Sequence, residues 1–120
     1  MDDIQNNFYS PSQVSNYISQ LFSGDVFLNN VSIVGEVSGF KPSPAGHVYF
    51  DLKDRGATIR ITVWKSIVFQ NPEFRQIKNG QVIRLIGKIQ NYEQGGSYSL
   101  VPTRLFLTDD EGSIDAKIKA

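Results

Sequence analysis

Apolar positions along this chain fall into two regimes. From Val14 to Phe22 they recur at Val14, Tyr17, Ile18, Leu21 and Phe22, the i, i+3, i+4, i+7, i+8 spacing of an amphipathic helix. A start signal precedes them. Ser10-Pro11-Ser12-Gln13 has the Ser-x-x-Gln form of a capping box, with proline at the first helical position, where its missing N–H is not needed. Gly24 follows the last periodic residue as a ready C-terminal cap. The pattern predicts a helix over about residues 10–23, within an N-terminal segment 1–30. Its apolar face is expected to pack on a neighbouring sheet, because the basic flank of a membrane-surface or partner helix is missing.

From Val31 onward β-branched and aromatic residues alternate with polar ones between glycine-containing breaks, which predicts strands near 31–39, 47–53, 58–64, 81–90 and 97–107. Asp54-Arg55-Gly56-Ala57 reads as a tight hairpin turn between the second and third strands. Gln94-Gly95-Gly96 reads as the turn between the fourth and fifth, with glycine permitting positive φ. Phe40-Lys41-Pro42-Ser43-Pro44-Ala45-Gly46 reads as a loop, and Gly35 and Gly87 as bends inside strands. Lys65 to Gly80 is the one long insertion. Its Val68, Phe69, Phe74 and Ile77 suit a short helix that Pro72 interrupts or restarts. Five short strands with an insertion after the third predict an all-β domain over 31–108: a five-stranded Greek-key barrel of the oligonucleotide/oligosaccharide-binding (OB) type, with an N-terminal α-helix and a short helix between strands 3 and 4.

Strand alternation sorts the second and third strands into two faces. Val48, Phe50 and Leu52, with Ile59, Ile61 and Val63, form an apolar set that must point inward. His47, Tyr49, Lys53, Arg60 and Trp64 are then left outside. Rings that stack on unpaired bases, interleaved with cations that follow a phosphate backbone, are what single-stranded nucleic acid requires. Phe40 and Lys41 on the first loop, and Tyr92 and Tyr98 at the glycine-rich hairpin, are expected to close over a bound strand. The alternative packs Tyr49 and Trp64 against the helix or the insertion.

The formal charge of zero conceals an uneven distribution. Residues 31–108 hold ten Lys/Arg against five Asp/Glu, a net +5, while residues 1–30 carry −3 and 109–120 carry −2. Because exposed charges are screened beyond about 10 Å, the basic middle acts locally. With no Cys and a single His, disulfides, thiol nucleophiles, cysteine-bound zinc and paired-histidine metal sites are excluded. Asp51-Leu52-Lys53 imitates the acidic-x-Lys step of metal-dependent nucleases, with Glu36 as a further acid, but an exposed ion pair is the simpler expectation. No nucleophile elbow, Walker motif or dinucleotide-binding glycine motif occurs. No metal or cofactor is therefore expected. Neither a signal peptide nor a spanning run is legible, which predicts a cytoplasmic domain without membrane association.

Val34-Gly35-Glu36-Val37-Ser38-Gly39-Phe40, Gly46-His47-Val48-Tyr49-Phe50-Asp51-Leu52-Lys53-Asp54 and Ile59-Arg60-Ile61-Thr62-Val63-Trp64 closely resemble the amino-terminal domain of the bacterial exodeoxyribonuclease VII large subunit. Tyr9 to Ser15 resembles that family's opening helix, and Gly80-Gln81-Val82 with Tyr92-Glu93-x-x-Gly96-x-Tyr98 its fourth strand and hairpin. The resemblance implies a domain that presents single-stranded DNA to a nuclease assembled from large subunits and several small helical subunits. Phe40, His47, Tyr49, Lys53, Arg60 and Trp64 match positions on the binding face, Trp64 standing where phenylalanine is frequent. Family members are several hundred residues long, so an excised domain or truncated relative is expected. Asp109-Asp110-Glu111-Gly112 would begin the linker toward an absent catalytic region, and the chain alone would bind without cutting. Two other readings stay open: a docking module that positions the nuclease or its subunits, and an anticodon-type RNA-binding OB domain.

Overall fold

Ser10 opens the first helix as its neighbours dictate. In the computed structural model, which describes residues 8–107, the Ser10 hydroxyl accepts from the Gln13 N–H and the Gln13 side chain accepts from the Ser10 N–H. This reciprocal cap starts α1 (Pro11–Gly24). Its C-terminus departs from expectation: Gly24 is the last helical residue, and Asp25 leaves in an extended conformation. The Asn29 side-chain amide instead donates to the Phe22, Ser23 and Asp25 carbonyls at 2.8–3.1 Å. With those carbonyls satisfied by a side chain, a left-handed glycine is unnecessary.

Five strands follow: β1 (Val31–Pro42), β2 (Val48–Lys53), β3 (Thr58–Val63), β4 (Val82–Tyr92) and β5 (Ser97–Leu107). They close in the order β1-β2-β3-β5-β4, the expected barrel. β1 pairs antiparallel with β4 from Val31 to Glu36 and with β2 from Glu36 to Pro42. The short β3–β5 contact, Ile61 opposite Leu100, is parallel. The β2–β3 turn is held by the Asp54 carboxylate, which accepts from the Gly56 and Ala57 N–H groups, and the β4–β5 turn by Gly96 at φ 65°. The acidic linker expected over 109–120 lies outside the described residues.

The loop expected over 40–46 begins later than its prolines suggest. Gly39 takes φ 64°, and the register slips by one residue between Ser38 and Lys41, so β1 bulges and continues to Pro42. Residues 43–47 alone make the connection, tied by hydrogen bonds from the Ser43 N–H to the His47 carbonyl and from the His47 N–H to the Ser43 hydroxyl. The bend at Gly87 answers to a different constraint. A Cβ there would lie 2.3 Å from the Val101 carbonyl oxygen and 2.6 Å from Pro102 Cα, at the register shift between Ile86 and Gly87. Only a residue without a side chain lets β5 approach so closely. Gly35 is likewise crowded by Leu52 and Lys53.

Alternation fills the interior as predicted. Val37, Val48, Phe50, Leu52, Ile61, Val63, Ile83, Leu85 and Leu100 are at most 2% exposed. The insertion plugs one barrel end: α2 (Lys65–Gln70) contributes Val68, a 3-10 turn (Pro72–Gln76) contributes Phe74, and Ile77 follows, all joining the same core. Phe69, which the sequence groups with them, is 85% exposed because the single turn of α2 that buries Val68 turns its neighbour outward. The helix α1 lies on β4, with Phe22 against the core and Ser15 and Ser19 bonded to Asn91, but buries no residue fully, leaving Val14, Tyr17 and Leu21 exposed. Its apolar face is thus only partly covered by the sheet. Among the described residues no helix is long and apolar enough to cross a membrane.

Two substitutions test this packing. Phe74→Ala should cost about 3–5 kcal/mol, whereas Phe69→Ala should stay within about 0.5 kcal/mol, both read from urea unfolding midpoints. Gly87→Ala should cost about 1–3 kcal/mol through the clash with β5. Gly24→Ala meets nothing within 4 Å and should raise stability by a few tenths of a kcal/mol.

Candidate nucleic-acid interface

Register places the outward side chains of β1, β2 and β3 in three rows. Lys41, Tyr49 and the buried Thr62 form the first, Ser38, Asp51 and Arg60 the second, and Glu36, Lys53 and Thr58 the third. The rows mix rings and cations as the sequence implies. At one end of the face, His47 meets the Trp64 ring edge-on at 5.1 Å and the Tyr49 ring at 6.2 Å. Three hydrogen bonds hold Trp64 and His47 in place. The Trp64 carbonyl accepts from the Ile67 and Val68 N–H groups as the first acceptor of α2, and His47 Nδ1 accepts from the Lys65 N–H at 2.9 Å. Trp64 therefore sits where β3 hands over to α2 and is 43% exposed.

Arg60 Nε lies 3.1 Å from Asp51 Oδ1, a pair open to solvent. That contact engages Asp51, the carboxylate of the acidic-x-Lys step. Among the described residues no group of three or more potential metal ligands gathers.

The flanking residues separate. Phe40, expected on a loop, lies in β1, and the bulge at Gly39 turns its ring inward, 6.3 Å from Phe50 and against the core. Lys41 takes the outward position beside Tyr49. Tyr92 and Tyr98 do not close over the trio. Since Ile61 faces Leu100 in the parallel pair, Tyr98 lies level with Ile59, about 16 Å along β3 from Trp64 at roughly 3.3 Å per residue. The Tyr98 ring packs edge-on against Phe22 of α1 at 6.3 Å. The hairpin itself is tied to α1 by Ser15 donating to the Glu93 carbonyl and by Asn91 donating to Ser15 and Ser19. Both tyrosines remain exposed. The two tyrosines thus stand beside α1, apart from the His47, Tyr49 and Trp64 cluster.

Sequence reasoning missed two cations. Gly46, in the β1–β2 loop, has the Lys65 Cβ and an Arg75 Nη beside it, at 3.4 and 4.0 Å from where its own Cβ would stand. The insertion folds these side chains against the loop next to the aromatic trio. No periodicity reports this, because α2 and the 3-10 turn are too short to show one.

A closed five-stranded barrel with a cation-and-ring outer face on β2 and β3 defines an oligonucleotide-binding module. The chain belongs to the OB-fold nucleic acid binding domain family, whose model matches residues 9–105. Among curated relatives it is similar to the exodeoxyribonuclease 7 large subunit of Streptococcus gordonii, 38% identical over 94 residues, which cover 78% of this chain and 20% of that protein. It is also similar to that of Leptospira interrogans, 38% identical over 98 residues, covering 80% and 22%. The chain therefore spans about a fifth of the length of the relatives it matches. Solved structures share its fold: the Stn1–Ten1 complex of S. pombe, with TM-score 0.61 and 17% identity over 71% of this chain and 62% of that one, and a replication protein A heterotrimer bound to single-stranded DNA, with TM-score 0.59 and 16% identity over 74% and 65%.

Asp51→Asn removes the one carboxylate in the middle row and frees Arg60. Affinity for a single-stranded oligonucleotide should rise about two- to fivefold at low salt, measured by fluorescence anisotropy, while stability changes by less than about 1 kcal/mol because exposed pairs contribute little.

Proposed function

We propose that this domain binds single-stranded DNA along the β2–β3 face without reading base sequence and presents it to a nuclease of the exodeoxyribonuclease VII type. The observation that carries this reading is the cluster of exposed Trp64 with half-buried His47 and Tyr49, on the same outer face as Lys53 and Arg60. Bases stack on the rings, and phosphates follow the cations. A duplex hides its base faces and gains only the phosphate term.

The roles of the parts follow from geometry. Trp64 is the stacking platform, since its backbone is immobilised at the α2 start while its ring stays open. Lys41, Lys53 and Arg60 contribute phosphate contacts, with Lys65 and Arg75 extending the positive edge. Phe40 supports the platform from within by packing on Phe50. The chain has no catalytic constellation of its own in this reading. Cutting belongs to the remainder of the large subunit, which assembles with small subunits in the cytoplasm.

A second reading makes the barrel a positioning module for the rest of the enzyme. The exposed Val14, Tyr17 and Leu21 of α1 favour it, as an uncovered apolar stripe at i, i+3, i+7 suits helix docking.

Trp64 is the only tryptophan, so its emission reports this face directly. Titration with a single-stranded deoxyoligonucleotide should quench it, with weakening as salt rises, and a duplex control should not. Trp64→Ala should lose about 1–3 kcal/mol of binding. Unchanged affinity in that variant would remove the stacking mechanism. Absence of binding in both fluorescence and anisotropy at low salt would leave the positioning role, and tighter binding of the matching ribo-oligonucleotide would point to RNA.

A further inference from the structure

The outer side of β4 and β5 carries a second group of rings and cations. Register sets Val34, Arg84 and Phe106 in one row and Ser32, Ile86 and Arg104 in the next. The guanidinium carbons of Arg84 and Arg104 lie 5.5 and 5.1 Å from the centre of the Phe106 ring, so one ring anchors both cations. Arg84 Nε is buried without a hydrogen-bond partner. Among the described residues neither arginine forms an ion pair, the Asp51–Arg60 contact being the only one. Beside them runs a groove of about 330 Å³ whose walls include Ser32, Val34, Arg84, Ile86 and Phe106. Its size is at the lower end of small-molecule sites, which run from about 300 to 1,000 Å³.

Two guanidiniums packed on one ring beside an apolar groove wall, with Glu36 one outward row away on β1, suit a nucleotide unit. The base lies on the apolar wall or a guanidinium plane, and the phosphate accepts from the free N–H groups. An acidic peptide would answer the charge and leave the groove unfilled. We propose that the β1–β4–β5 face is a second contact for the same single strand, taking nucleotides beyond those on the β2–β3 face. This rests on the single-strand reading above. β1 is bonded to β4 along Val31–Glu36 and to β2 along Glu36–Pro42, so the Lys53 end of the β2–β3 face lies two interstrand steps of roughly 4.8 Å each from β4, with the Trp64 end farther along β1.

The test compares oligothymidylates of about 5 and about 16 nucleotides, near the limits of what one such barrel covers, by anisotropy with the 120-residue chain. Arg84→Gln with Arg104→Gln should weaken the long strand about tenfold and lower its log–log salt slope by about 1.4, leaving the short strand unchanged. Arg84→Lys with Arg104→Lys should retain the slope. A Gln pair that melts like the parent and binds the long strand with unchanged affinity and slope overturns the proposal. If Trp64→Ala weakens both lengths in that case, only the second face falls. If the parent chain binds neither length, the single-strand reading falls and takes this inference with it. Should the Gln pair unfold, Phe106→Trp in a Trp64→Phe chain reads the groove directly. Quenching by the long strand alone supports the proposal. Unchanged emission while anisotropy reports binding overturns it, as does quenching by oligoglutamate but not by DNA.

Discussion

β1 is hydrogen-bonded along both edges, to β4 through its first half and to β2 through its second, with Glu36 shared between them. With β1 joined to both β4 and β2 and β3 meeting β5, the sheet closes on itself and leaves few exposed edges through which β proteins aggregate. β1 must also bend sharply. Gly35 sits at the handover, where Leu52 and Lys53 approach to 3.0 Å of a would-be Cβ, and Gly39 supplies the bulge beyond it. Closure makes one face of every strand a shared interior and the other a convex exterior. The interior is apolar, so whatever chemistry the domain performs is confined to its outer face.

That division governs the electrostatics. The whole chain is neutral, yet the segment that forms the barrel is basic, and screening makes the local excess the relevant quantity. The Asp51–Arg60 pair tempers it in the middle of the β2–β3 face. A pair so open to solvent adds little to stability and is readily exchanged for a phosphate contact.

The insertion between β3 and β4 serves both sides of the barrel wall. Val68, Phe74 and Ile77 seal one end from inside, while the start of α2 holds the Trp64 backbone and pins His47. The Trp64 position is thereby coupled to the core: loosening the plug would release its ring. At the other end α1 braces the β4–β5 hairpin through Ser15, Ser19 and Phe22, which sets Tyr98 apart from the trio.

Much of the fold was legible because it depends on neighbours a few residues apart. The Ser10–Gln13 cap, the alternation of Val48, Phe50 and Leu52 against Tyr49, and the turn at Asp54 are local patterns. Each is decided by backbone period and short-range hydrogen bonding, and the sequence alone determined them. The resemblance carried by the Val34–Phe40 and Gly46–Asp54 blocks added the family. What only the tertiary structure decided involves partners distant in sequence. Asn29 replaced Gly24 as the cap, and the bulge at Gly39 sent Phe40 inward. The parallel register of β3 with β5 and the packing of α1 set Tyr98 and its hairpin apart from the trio. The fold of the insertion brought Lys65 and Arg75 beside Gly46. These outcomes arise when the barrel closes, because packing and register between remote segments are set by the shape that all five strands must share.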